Sequence, residues 1–210
     1  DAYYEPYPGD PISIAGDVRN SGNFSTSKKA PLSIGGDLVQ EASSKMSTFL
    51  GAPSMQIGGK ALIDGELLVN GQTADYIHNS DSVILTATGG VTGTFAAVNW
   101  TSPVVDAKVN YDSNRVWIGF TRQDLVGAAM RMGFDPVQVG SAARVEGAFD
   151  RIDAGLANGA LDASSDLVRA AGALQHSSPE MLEQSLDSLS GALHDADNTF
   201  AMMAVEDSRH

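Results

Sequence analysis

The chain has 210 residues, and its 13 Lys and Arg against 26 Asp and Glu give a formal net charge of −13. This acidic balance argues against a nucleic-acid partner, whose phosphates need a basic surface, and against direct lipid binding at an anionic membrane. The absence of cysteine excludes disulfides, thiolate metal sites and thiol nucleophiles, whereas 42% apolar residues are enough to build a folded core.

Composition divides the chain into two parts near Thr121. Residues 1–121 contain 14 of the 22 glycines and every lysine, and their short β-branched runs are separated by Gly, Asn and Asp. This pattern is typical of strands and turns. Residues 122–210 are rich in Ala and Leu with helical periodicity. The sequence therefore predicts a mainly β fold with a C-terminal α region.

An internal repeat lies in the first part. Ile14, Ile34 and Ile57 occupy equivalent positions, 20 and 23 residues apart, in three similar segments: Pro11–Val18, Pro31–Leu38 and Ser54–Ala61. Each segment alternates apolar and polar residues and ends in a turn. A repeat of this length predicts a β-solenoid in which each coil of short strands buries its face on the next. The alternative is a β-sandwich whose strands resemble one another.

A hairpin is predicted at the end of the first part. Val104 to Tyr111 and Arg115 to Phe120 flank a turn of about three residues. Phe120 lies on the apolar face of its strand and Trp117 on the other. Because an open solenoid end exposes backbone and core, we expect this hairpin to cover the last coil, with Trp117 and Phe120 as capping residues.

Three or four helices are predicted in the second part. The first begins at Thr121 and ends before the Asp135-Pro136 pair; the second and third cover Ser141 to Asn158 and Ser165 to His176. Ser178-Pro179 begins a fourth, which extends to Asp207.

The fourth helix carries an apolar stripe with alternating spacings of four and three residues, composed of Leu182, Leu186, Leu189, Leu193, Ala196, Phe200 and Met203. The stripe fits a bundle helix, and it also fits a helix enclosed by another structure. In this chain alone, we expect it to pack on the predicted Val145–Leu156 helix or on the same helix of a second copy, so helix-mediated self-association is open.

Motifs for catalysis are absent from the sequence. Its four histidines have no metal-ligand spacing. Ser190, His194 and Asp195 are too close along one helix to form a catalytic triad, and the glycine-rich stretch at 89–95 lacks phosphate-loop spacing and is read as a turn. The sequence predicts no catalytic residue, no metal and no cofactor.

Several segments together resemble a known family. The end of an autotransporter passenger is resembled by Ser33–Gln40, Gly65–Val69, Ile84–Phe95 and Val109–Asp112. The connecting region before the translocator barrel is resembled by Thr121–Asp124, Val145–Phe149 and Leu186–His194. The similarity is greatest to Gram-negative autotransporters that carry subtilisin-like protease or lipase passengers.

This resemblance implies a fold, a function and partners. Residues 1–121 would form a right-handed parallel β-helix acting as an autochaperone, 122–178 a helical connector, and 179–210 a long linker helix leading to a β-barrel outside this sequence. The chain would be a non-catalytic segment that promotes passenger folding during type V secretion and links the passenger to the barrel. Its partners would be its own passenger and its own barrel, at the cell surface and anchored at the outer membrane. Residues 122–178 depart from this pattern, because they hold more helical sequence than one linker needs.

Two other classes of function are alternatives. A surface-exposed β-solenoid adhesin or binding module would carry an exposed aromatic or polar ladder, for which Tyr3, Tyr4 and Tyr7 are the candidates. An enzyme is the third class.

Overall fold

A computed structural model describes residues 10–27, 29–49, 52–70, 76–100 and 102–190. The chain forms two compact units. The first comprises Asp1–Thr73, His78–Thr101 and Asp106–Thr121; the second comprises Ala74–Ile77, Ser102–Val105 and Arg122–His210. The main division therefore falls at the composition change near Thr121. Two short segments that precede it belong to the second unit, which composition did not indicate.

The described part of the first unit is built of short strands. Twelve of them fall into four successive triplets. The first two triplets are β1 (Ile12–Ile14), β2 (Val18–Asn20), β3 (Asn23–Ser25), and β4 (Leu32–Ile34), β5 (Leu38–Gln40), β6 (Lys45–Phe49). The third and fourth are β7 (Met55–Ile57), β8 (Ala61–Ile63), β9 (Glu66–Asn70), and β10 (Ser80–Ala87), β11 (Val91–Gly93), β12 (Ala97–Asn99).

Each triplet contributes one strand to each of three sheets. Two further strands, β13 (Val105–Tyr111) and β14 (Arg115–Arg122), follow the fourth triplet. The strand orders are β1-β4-β7-β10-β14-β13, β11-β8-β5-β2 and β12-β9-β6-β3. Each strand of one triplet pairs in parallel with the corresponding strand of the next. This parallel pairing differs from the antiparallel sheets of the sandwich alternative. The fold is β-rich with three mostly parallel sheets, followed by helices, as the sequence predicts.

The hairpin is formed by β13 (Val105–Tyr111) and β14 (Arg115–Arg122), within one residue of the predicted start and two residues beyond the predicted end. β14 pairs antiparallel with β10, and the register shifts between Val83 and Leu85. The sheet that contains β1 and β4 therefore ends in this hairpin, whose strand β14 runs antiparallel to β10.

Four helices are described in the second unit. They are α1 (Leu125–Met132), α2 (Pro136–Ala157), α3 (Asp166–Gln175) and α4 (Pro179–Leu189). The ends of α3 agree with the prediction: Ser165 accepts a hydrogen bond from the Val168 amide, and His176 is the C-cap. Ser178 caps α4 with Pro179 at its first position, also as predicted.

The predicted starts of α1 and α2 were wrong. Thr121 continues β14, and the N-cap of α1 is Asp124, whose carboxylate accepts the Gly127 amide at 2.6 Å. The first helix ends before the Asp135-Pro136 pair, as predicted, with Gly133 as its C-cap, and the pair itself begins α2. The Asp135 carboxylate accepts the amides of the second and third helical residues, and the Gln138 side chain accepts the Asp135 amide. This reciprocal capping box tolerates Pro at the first position, where no amide is needed.

The helices pack around α2. Both α1 and α4 contact it, and the largest buried side chains of this unit are Leu125, Phe149, Ile152, Leu182 and Leu186. The described part of α4 thus belongs to the helical unit. Its predicted continuation, including Leu193, Ala196, Phe200 and Met203, lies outside the described residues.

Candidate functional site

The described residues contain no group of three or more His, Asp or Glu side chains placed to hold a metal ion. In the same part of the chain, no helix is both long enough and apolar enough to cross a membrane.

The predicted isoleucine column is aligned across the triplets. Ile14 is the register partner of Ile34, and Ile34 of Ile57; the column ends at Ala87 in the fourth triplet. Ile34 and Ile57 are 1% and 2% exposed, whereas Ile14 is half-buried. The column is therefore only partly buried at the first triplet.

The hairpin turn covers the first corner of the fourth triplet. The Ala87 amide donates to the Asn114 carbonyl at 2.7 Å, and the Asn114 side-chain amide returns a hydrogen bond to the Ala87 carbonyl at 3.0 Å. The Val91 amide donates to the Ser113 carbonyl at 2.8 Å. These bonds satisfy backbone groups that would otherwise be left at this end of the array.

Tyr111 makes a further contact at the same end. Its hydroxyl accepts the Phe95 amide at 3.0 Å. Burial raises the pKa of this hydroxyl, and the donated amide hydrogen bond opposes the shift. Tyr111 therefore stays neutral near neutral pH and fixes the chain between β11 and β12.

The two predicted capping aromatics have different environments. Phe120 is buried, and its ring centroid lies 5.3 Å from that of Trp100. Trp117 lies on the opposite face of β14, where it is half-buried beneath the Arg115 guanidinium, 4.5 Å from the ring centroid. The buried face of β14 consists of Val116, Ile118 and Phe120. Trp117 is not part of this buried apolar face.

A charge cluster lies in the helical unit. Arg122, whose side chain is 12% exposed, forms ion pairs with Glu146, with Asp150 at 2.7 Å and with Asp153 at 3.2 Å. Glu146 also accepts the Leu125 amide at the start of α1. Burial lowers the pKa of Arg122, but the paired carboxylates, Glu146 first, outweigh it and raise that pKa overall. Arg122 is a permanent cation that joins the start of α1 to α2.

The buried side chain of Gln175 binds Ile77, which belongs to the same unit. The Ile77 amide donates to Gln175 Oε1 at 2.6 Å, and Gln175 Nε2 donates to the Ile77 carbonyl at 2.7 Å. Neighbouring Tyr76 packs its ring 5.6 Å from that of Phe149, and burial raises the pKa of its hydroxyl, with Asp153 adding to the shift. These contacts explain why residues before Thr121 belong to the helical unit.

The apolar stripe of α4 is partly buried. Leu182 and Leu186 are fully buried, as expected for a bundle helix, whereas Leu189 is 55% exposed. Leu189 lies at one side of an open, mainly apolar cavity of about 530 Å³ lined otherwise by α2 and α3. Tyr3, Tyr4 and Tyr7, the candidates for an adhesin ladder, lie outside the described residues.

One feature of the array was not singled out from the sequence. The Asp17 carboxylate accepts the Asp37 amide at 2.8 Å, and the Asp37 carboxylate accepts the Lys60 amide at 2.7 Å. The recurring Gly-Asp after Ile14 and Ile34 was the available signal. These aspartates tie the corner of the first triplet to that of the second, and the corner of the second to that of the third.

Comparison with known proteins finds no protein family whose sequence model matches the chain. It also finds no curated protein with significant sequence similarity.

Proposed function

We propose that this chain is a non-catalytic segment of a Gram-negative autotransporter that promotes folding of its passenger and connects the passenger to the translocator barrel. The observation that carries the proposal is the difference between the two ends of the triplet array. β14 pairs with β10, and the hairpin turn hydrogen-bonds the adjoining corner, at the downstream end. At the upstream end, no described strand pairs with the outer edge of β1, β2 or β3.

In this proposal the first unit is a right-handed parallel β-helix. Recurrence of three sheets in the same order, with each triplet paired to the next, supports this fold. Register partners in successive triplets are about 20 to 30 positions apart. Adding one triplet to a folded neighbour therefore needs little loop-closure entropy.

The hairpin gives the direction of folding. The two strands of a hairpin are close in sequence, so they can pair before residues distant in the chain have come together. Once β14 holds β10, the third triplet has an edge on which to pair, then the second, then the first. Folding would proceed from the C-terminal end towards the N-terminus, which is the order in which a passenger leaving a pore C-terminus first would need it.

The helical unit takes the connecting role. Because Leu182 and Leu186 are buried in the helical unit, the proposal assigns the segment inside the barrel to the remaining stripe, Leu193, Ala196, Phe200 and Met203. Polar residues between the stripe positions, Asp195, Asp197 and Asn198, suit a barrel interior, which is largely polar. The chain would act at the cell surface, next to its own passenger and its own barrel, without a cofactor.

Secretion of the full-length protein tests this function. Ile118→Asp places a charge on the buried face of β14, and Lys108→Asp, at an exposed position of β13, is the matched control. We expect Ile118→Asp, like deletion of residues 54–120, to leave the barrel inserted but the passenger sensitive to added protease on the cell surface. Lys108→Asp should leave the passenger resistant.

The proposal fails if the Ile118→Asp protein displays a normal amount of folded, protease-resistant passenger. The surface adhesin remains the alternative: it predicts normal secretion of that variant together with loss of adhesion.

A further inference from the structure

A glycine recurs at one corner of every triplet. The corner follows the first strand, and its second residue is Gly16, Gly36, Gly59 or Gly89 in the four triplets. None of these glycines has a positive φ. The backbone conformation would therefore accept another residue, and the reason for glycine has to be sought in the space around it.

In the second, third and fourth triplets that reason is contact with the preceding triplet. A Cβ on Gly36 would lie 2.8 Å from the Asp17 amide nitrogen and the Gly16 carbonyl carbon. A Cβ on Gly59 would lie 2.8 Å from the Gly36 carbonyl, and one on Gly89 would lie 2.7 Å from the Gly59 carbonyl carbon. Real Cβ atoms do not approach backbone this closely, so each glycine is needed because the triplet upstream is so near.

Gly16 has no such neighbour. A Cβ at this position would meet no atom of the described chain within 4 Å. Its place in the corner is nevertheless that of Gly36, and its Cβ direction is the upstream one. At the other three corners, glycine is needed because the triplet upstream is in contact with it. The same reason applies to Gly16 if a further triplet lies on that side.

The corner amides give the same direction. The Gly35 amide donates to the Ile14 carbonyl at 2.7 Å, and the Gly36 amide to the Gly16 carbonyl at 3.1 Å. The third triplet repeats this with Gly58 donating to the Ile34 carbonyl at 2.8 Å. Each corner therefore donates to the triplet before it. In the described structure, no acceptor is recorded for the corresponding amides of the first triplet, which belong to Ala15, Gly16 and Asp17.

Apolar burial changes at the same edge. Phe24 is half-buried, whereas its register partner Met46 is fully buried. Val18 and its partner Leu38 differ in the same way. The half-buried members all belong to the first triplet, so the apolar interior continues up to this edge and is left partly open there.

We propose that the upstream face of the first triplet, formed by β1, the 15–17 corner, β2 and β3, receives a further parallel triplet whose corner brings a backbone carbonyl and a carboxylate to the amides of residues 15–17. The face continues an interface that the chain already forms three times. The occupant is the polypeptide preceding β1 in the full-length protein, and this assignment rests on the proposed function. The contacts that the occupant would make are inferred separately, from the glycine and the amides of the 15–17 corner.

An added triplet tests the inference. Insertion of a second copy of residues 11–30 between Asp10 and Pro11 reproduces the native junction of Ala30 with a proline. The copy carries its own Gly-Asp corner. We expect hydrogen exchange at the amides of Ala15, Gly16 and Asp17 to slow at least about tenfold in the extended chain relative to the parent.

Substitution of the glycine identifies the contact. Gly16→Ala should leave the parent unchanged but return the exchange rates of the extended chain to the parent values. Gly22→Ala is the matched control: its Cβ also meets no atom within 4 Å, and the corresponding residue of the second triplet, Ser44, already carries a Cβ. This control should keep the slow exchange in the extended chain.

Equal exchange rates at residues 15–17 in the parent and the extended chain would overturn the inference. It would also be overturned if Gly16→Ala left the slow exchange of the extended chain unchanged. Slow exchange that appears in the parent at high concentration, together with a doubled mass, would assign the face to a second copy and overturn the upstream source. Normal secretion of the Ile118→Asp protein would refute the proposed function without changing any of these results.

Discussion

The isoleucine column allows a quantitative test of the triplet array. Ile34→Ala removes three carbon atoms from a site that is 1% exposed. At about 0.8 kcal/mol per buried methylene, the lost transfer free energy is about 2.4 kcal/mol, and the remaining cavity adds about 1 kcal/mol. Ile14→Ala makes the same chemical change at the half-buried end of the column, where no closed cavity remains, and should cost about 1 kcal/mol.

Tryptophan fluorescence isolates the unit under test. Both tryptophans, Trp100 and Trp117, lie in the first unit, so their emission in urea reports on the surroundings of residues in that unit. We expect the midpoint of Ile34→Ala to fall by about 1 to 2 M, for a slope of about 2 kcal/mol per M. Ile34→Asp and Ile57→Asp should each cost at least about 3 kcal/mol, because a charge is buried without a partner.

The comparison between the two positions can refute this reasoning. If Ile14→Ala and Ile34→Ala lower the free energy of unfolding equally, the column is not open at its first member. If Ile34→Ala and both aspartate variants melt like the parent, the aligned isoleucines do not form the core that the registers indicate.

Three further predictions concern single contacts. Arg122→Ala should destabilise the helical unit by about 3 kcal/mol because the mostly buried carboxylates of Glu146 and Asp153 lose their cation. Asp150→Asn should cost less than about 1 kcal/mol because that side chain is 66% exposed; helix ellipticity in urea measures both, and equal losses would contradict the ranking. Gln175→Ala should cost about 2 kcal/mol and speed hydrogen exchange at Ile77, whose amide and carbonyl lose their partners; unchanged exchange would disprove the role of that pair. The pKa of Asp112 is lowered by hydrogen bonds from the turn's amides and by the arginine that follows, so its stabilisation of the hairpin turn is complete above the ordinary pKa of aspartate and is lost as pH falls through the lowered value. A pH titration by NMR should show this step, Asp112→Asn should remove it, and titration at the ordinary value would be evidence against the turn geometry.

The sequence by itself determined the elements whose signals are local. Alternation and glycine turns around Ile14, Ile34 and Ile57 were enough to predict stacked coils of short strands with these isoleucines aligned, while the grouping of the strands in threes came from the structure. Ser165 and Ser178 marked helix starts because an N-cap side chain acts on amides only two or three residues away. The composition change near Thr121 marked the main division between units, since strands and helices draw on different residues.

Other local signals were ambiguous in sequence. Asp135-Pro136 is compatible with the end of one helix or the start of the next, and the choice depended on whether Gln138 faces back to complete the capping box. Alternation along the strand placed Trp117 on the face opposite Phe120, and Trp117 was nevertheless predicted to cap the last coil. In the structure Val116, Ile118 and Phe120 form the buried face of β14, which pairs with β10.

Tertiary structure alone decided the contacts between distant residues. Gln175 and Ile77 are 98 positions apart, and the three acidic partners of Arg122 are recognisable as one cluster only when α2 is placed beside it. The same holds for the corner glycines: their spacing is visible in the sequence, but that Gly36 is crowded and Gly16 is free depends on how closely adjacent triplets approach. Pairing distance and side-chain direction are properties of the packed chain, and a linear pattern specifies which residues repeat without specifying what each one meets.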